Sequence, residues 1–240
     1  MDNPFSLWVY LSTTPLLWLT VTLIAWLGAD WVAVRAGRNP LVNPVLITVV
    51  LVAAVLIWTG TDYATYFEGA QFVHFLLGPA TVAIAVPLVR NLELVRQNLL
   101  PMMAALLVGS VTAVVSVILL GQAFGLPNGI LLSLAPKSVT AAVGMGISES
   151  TGGIPSLTAV LVILTGVFGA VIVTPLMNAL GVKNYAARGF SVGLASHGIG
   201  TARAFSVDPV AGIFSGMAMG LNAVLTALLL PVILKLWGLN

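Results

Sequence analysis

Two short polar clusters stand in otherwise apolar sequence. In Leu134-Ala-Pro-Lys-Ser-Val-Thr140, Lys137 is followed by the hydroxyls of Ser138 and Thr140. In Ala195-Ser-His-Gly-Ile-Gly-Thr-Ala-Arg203, the side chains of Ser196, His197, Thr201 and Arg203 fall within eight residues. An ammonium beside hydroxyls and free backbone amides suits a small carboxylate, and an arginine fork suits the same group. Both cations also admit structural readings: Lys137 paired with Glu149 or reaching an interface, and Arg203 paired with Asp208. His197 titrates near neutrality. It either relays protons, with Glu149 as the second coupling candidate, or stays neutral and fixes a helix break by hydrogen bonding. His74, close to the Glu68 loop, reads as interfacial.

The setting of these residues is a bilayer. The 240-residue chain is 59% hydrophobic and 7% charged, against about 25% charged residues in soluble domains. A lysine at the centre of a membrane helix costs about 2.5–3.5 kcal/mol, so one that stays there faces a cavity. The net charge is only +2 and no basic cluster exists, which excludes a nucleic-acid partner. Zero cysteines exclude a disulfide framework, a thiolate metal site and a cysteine nucleophile. Two histidines make an all-protein zinc site unexpected. Nucleotide-binding and hydrolase motifs are missing. The expectation is therefore no enzyme, no catalytic or metal residues, and no cofactor beyond a coupling proton or sodium ion.

Charge-free runs at 3–29, 39–61, 69–89, 150–182 and 209–234 are long enough to span, and 98–120 forms another. Two further apolar segments, 128–148 and 189–207, are interrupted by Lys137 and Arg203. Basic residues after the first, third and 154–182 spans predict an outer N-terminus and an inner C-terminus. Placing Lys183 inside then requires 128–148 to enter and leave on one side, broken at Pro136; otherwise it is an ordinary eighth span. The predicted fold is all-α and polytopic, with about seven spans plus a re-entrant or broken segment in one integral membrane domain, 1–240. A peripheral first helix occupies 1–38. It reads as retained, because Met1-Asp2-Asn3-Pro4 lacks a basic leader. The six tryptophans fall near span ends or packing faces.

A weak repeat links the halves. Pro44 and Pro155 stand 111 residues apart, as do Gly109 and Gly220, while Thr81 and Thr201 are 120 apart. Repeats over 43–123 and 154–236, with 128–148 between them, run in opposite directions in the charge-derived topology. Inverted repeats with interrupted helices at matching positions mark the sites of many transporters. A broken helix puts free N–H and C=O groups at membrane depth, and its positive N-terminal end suits an anion. The expected breaks are Gly78, Pro79, Pro136, Gly198 and Gly200. The expected substrate residues are Lys137, Ser138, Thr140, Thr81, Ser196, His197, Thr201 and Arg203. A homodimer is the expected assembly by analogy with inverted-repeat transporters.

These stretches, with Leu41-Val-Asn-Pro-Val-Leu46, Tyr66-Phe-Glu-Gly69, Leu76-Leu-Gly-Pro-Ala-Thr81 and Gly152-Gly-Ile-Pro155, resemble the LrgB/CidB family of bacterial membrane proteins over about residues 35–235. The resemblance implies a multi-pass protein of the bacterial inner membrane and two bodies of function. One is holin- or antiholin-like control of murein hydrolase export and lysis with a small LrgA/CidA-type membrane partner. The other is carboxylate transport, since a plastid glycolate/glycerate transporter resembles an LrgA-like part fused to an LrgB-like part, and some relatives are linked to pyruvate uptake. The leading expectation is a secondary transporter of small monocarboxylates (glycolate, glycerate or pyruvate) working by alternating access. The holin-like role is the alternative.

Overall fold

The computed structural model describes residues 15–39, 42–76, 79, 89–90 and 92–239, and all regular structure among them is helical. Gly78 and Thr81 lie outside the described residues, as does Trp8. The chain divides into two compact units, Met1–Val86 and Pro87–Asn240. That boundary falls inside 43–123, the stretch expected to form the first repeat.

The first unit holds α1 (Pro15–Arg35), α2 (Pro44–Thr59) and α3 (Tyr63–Phe75). Asn43 caps α2, its Oδ1 accepting from the amides of Val45 and Leu46, with Pro44 in the first turn where its missing N–H costs nothing. Gly60, at φ 65°, closes the helix in the left-handed region that a side chain disfavours. Asp62 starts α3, and the hydroxyl and amide of Thr65 hold its carboxyl below the usual range. Gly69 lets α3 press onto the backbone of Pro15 and Leu19 in α1. Trp18 is fully buried there, edge-on to Tyr66 at 6.1 Å, so it packs the helices together and anchors no interface.

The second unit holds α4 (Leu92–Gln97), α5 (Leu99–Ala123), α6 (Asn128–Leu134), α7 (Ala141–Thr151), α8 (Pro155–Ala179), α9 (Tyr185–Val207) and α10 (Pro209–Leu236). Four described helices, α1, α5, α8 and α10, are long and apolar enough to cross a membrane. Helices α5 and α10 run in the same direction. Met102 and Leu106 cluster with Phe214 and Ala218, while Val114 and Ile118 cluster with Leu230 and Leu234.

Helices α6 and α7 form a hairpin. Leu131 reports the end of one arm against Gly121 of α5, and the return arm brings Gly144 back to Pro136 O. The hairpin is pinned to α8 by hydroxyls: Thr158 Oγ1 lies 2.9 Å from Ser133 O and 2.8 Å from Ser148 Oγ, and Ser133 Oγ accepts the Ile154 amide at 2.7 Å. The turn, 135–140, carries Pro136, Lys137 and Ser138 at its tip.

Helix α9 also doubles back. Gly189 and Gly193 lie on the backbone of Ala211 and Ser215, so residues 185–196 run parallel to α10. Thr201 bonds Ser215, and Phe205 covers Gly212, so residues 198–207 run antiparallel to it. Gly200 meets Val192 O of the outgoing arm, a contact impossible between residues eight apart in a straight helix. The reversal sits on His197, at φ 42° and ψ −134°.

Three expectations change. The segment 189–207 does not cross as one broken span; it enters and leaves at one end of the unit. The break falls on His197 and not on Gly198 or Gly200; Gly200 instead gives the two arms room to touch. Because α9 does not cross, α10 is parallel to α5, where the charge-derived topology set 98–120 and 210–234 in opposite directions.

Candidate functional site

The two hairpins enter from opposite ends, and their tips meet inside the unit. The first hairpin follows the C-terminal end of α5, whereas the second follows the C-terminal end of α8. Their meeting point is held by Asn222, near the middle of α10 and 1% exposed. Its Nδ2 donates to Ser138 O of the first tip at 3.0 Å and to Leu194 O of the second hairpin at 3.1 Å. Its Oδ1 accepts from Ser110 Oγ of α5 at 2.6 Å and from Thr226 Oγ1 at 3.2 Å. One amide thus satisfies two backbone carbonyls that helix reversal leaves free, in surroundings where each unpaired group costs several kcal/mol.

Lys137 is half-buried at the first tip, and its Nζ donates to Ser138 Oγ at 3.2 Å. His197 is buried, and its Nε2 lies 2.9 Å from Val162 O of α8. A carbonyl only accepts, so Nε2 carries the proton and donates. Gly166 and Gly169 make room on α8 for the His197 ring and for Ser196. Thr201 Oγ1 bonds His197 O at 2.8 Å and Ser215 Oγ at 2.9 Å, closing the second tip onto α10.

The electrostatics of the tips follow from helix ends. Thr140 precedes α7 without capping it by side chain, so the first-turn amides of α7 point at the tip unsatisfied by the helix. The second arm of α9 likewise starts at its tip. Two positive helix ends and the Lys137 ammonium therefore share one depth, which favours an anion.

The structure places Pro136, Lys137, Ser138 and Thr140 at the first tip and Ser196, His197 and Thr201 at the second, with Asn222 bonded to both hairpins. It does not bring Arg203 to them. Arg203 lies toward the base of the second hairpin, lining a cavity of about 30 Å³ with Thr174, Tyr185 and Arg188. Its suggested partner Asp208 is engaged as the cap of α10, accepting from Val210 and Ala211. Glu149 is exposed near the end of α7, away from the tip, and so is not the partner of Lys137. Pro79 is exposed. No cluster of metal-ligating residues occurs among the described residues.

Sequence reasoning missed Asn222, Ser110 and Ser215. A signal was present: Ser110 and Asn222 follow Gly109 and Gly220 closely in apolar helices, and a carboxamide in a membrane helix needs partners.

The model of the LrgB-like family matches residues 22–236. The holin-like protein CidB of Staphylococcus epidermidis is 35% identical over 200 residues, 83% of this chain and 87% of the relative. The uncharacterized protein YwbG of Bacillus subtilis is 34% identical over 217 residues, 90% and 96% of the two chains. The holin-like protein CidB of Staphylococcus aureus is 34% identical over 199 residues, 83% and 87%. No solved structure matches.

Proposed function

This chain belongs to the LrgB-like family, and from that premise we propose that it is a holin-like membrane protein that governs murein hydrolase export and lysis with a small LrgA/CidA-type partner. The names of the CidB relatives support this reading. The helices of membrane-crossing length agree with its place in a bilayer.

One observation favours a second and finer reading. Two hairpins meet at Asn222, at the middle of α10, and one of them carries Lys137 and Ser138 at its tip. A pore that passes large solutes has no need of such a node. The arrangement suits alternating-access transport of small monocarboxylates such as glycolate, glycerate or pyruvate. The carboxylate sits against Lys137 and the α7 amides, and His197 offers a proton-coupling group. Arg96, Lys183 and Arg188 gather at one end of the second unit. The positive-inside rule makes that end cytoplasmic. The C-terminus, at the other end of α10, then lies outside, the reverse of the orientation expected from loop charges.

Reconstituted vesicles separate the readings. Saturable glycolate flux, abolished by Lys137→Ala, supports transport. Leakage of a large dye without saturation, unchanged by Lys137→Ala, supports the holin-like reading alone.

A further inference from the structure

We propose that the carboxylate reaches the hairpin tips from the Arg96/Lys183 end, through the groove between α5 and the first arm of α9. This inference rests on the anion-site reading above and adds the path and the side.

The groove encloses about 280 Å³ and is lined by Asn98, Met102, Ala105, Ser191, Phe190 and Phe214 among others. That volume accommodates a three-carbon acid with water. Its mouth is polar, formed by Asn98 and Asn184, and two exposed cations flank it: Arg96 stands two residues before Asn98, and Lys183 immediately precedes Asn184. A basic rim on a low-dielectric cleft concentrates anions and speeds their entry. The inner wall is continuous with the site. Met102, Phe190 and Phe214 share a cluster with Leu106 and Leu194, and Leu194 O is the carbonyl that Asn222 holds. Gly109 faces the Leu194 side chain, whose δ-carbons a Cβ there would crowd, and Leu194 stands between groove and tips. The opposite side is closed. Ile118, Val139, Leu230 and Leu234, each 1% exposed or less, fill the space between the tips and the C-terminal end of α10.

The natural absence of cysteine makes the test direct. Ala105→Cys and Ser191→Cys are each reconstituted and treated with anionic or cationic methanethiosulfonates, and [14C]glycolate binding and flux are measured before and after. The expected result is reaction at both positions, slowed by glycolate, with loss of glycolate flux once Ala105→Cys is modified. Adding Arg96→Gln and Lys183→Gln should lower the preference for the anionic reagent roughly threefold or more. Unreactive thiols at both positions would mean that the groove holds no water and would overturn the path. Full flux after complete modification would overturn the path and leave the anion site standing. Glycolate binding that survives Lys137→Ala would instead remove the anion site, and the path with it, whatever the labelling shows.

Discussion

The two hairpins reach the same point by different means. The first is pinned to α8 through Ser133, Ser148 and Thr158, turns through six residues, and is tied at its tip through Asn222. The second lies flat on α10 along its length, glycine to backbone at Gly189 and Gly193, and turns on the single residue His197. Polar pins are few and separable, so they permit a segment to shift once one bond is exchanged. Backbone contact through glycine is distributed and admits no side chain. The second hairpin is thus held to α10 along its length, and the first, which carries Lys137, is held through a few polar bonds.

Substitutions at four places break or sharpen that contrast. Gly193→Leu should have the largest effect: a side chain there meets the Ser215 backbone, and folded protein should be lost, a cost of more than about 4 kcal/mol. Its counterpart in the first hairpin, Gly146→Ala, meets nothing within 4 Å and should be neutral or stabilising by about 0.5–1 kcal/mol. Recovery of monodisperse protein after detergent extraction separates the two. Next comes Asn222→Leu, which strands Ser138 O and Leu194 O and should cost about 2–4 kcal/mol in thermal unfolding. Combining it with Ser110→Ala should add little, because both act on one node. Full additivity would show that the node is not shared. Ser133→Ala should cost about 1–2 kcal/mol by leaving the Ile154 amide unpaired. Hydrogen exchange should then rise in 128–151 and stay unchanged in 185–207, and equal rises would erase the distinction. The smallest effect is expected at the second tip. His197→Gly accepts the positive φ that His197→Ala does not, so the glycine variant should be the more stable of the two by about 1 kcal/mol.

The two polar clusters were legible because charge and hydroxyls in a 59% hydrophobic chain have few reasons to exist. Lys137 pointed to a buried tip for the same reason. The path of 189–207 was not legible, since a stretch of nineteen mostly apolar or small residues suits a full span as well as two short arms, and only the contacts with α10 distinguish them. That one step reversed the direction inferred for α10 relative to α5. Asn222 escaped notice because Gly220 nearby reads as a packing residue, and hydropathy averages a lone carboxamide away. Arg203 was grouped with Lys137 by its type, but it sits toward the base of an arm whose tip is His197. Its cluster is close in sequence, and folding back takes its last member away from the site.

The seating of the second hairpin also fixes an order of events during synthesis. Residues 185–207 leave the ribosome before α10, yet the surface they rest on is α10, through Ala211, Ser215 and Asn222. Until α10 is inserted, two short arms with exposed backbone at their junction have no place in lipid. The hairpin must therefore settle only once α10 is in place. Biogenesis of the centre consequently depends on a helix made later, which serves as the template for the segment made before it.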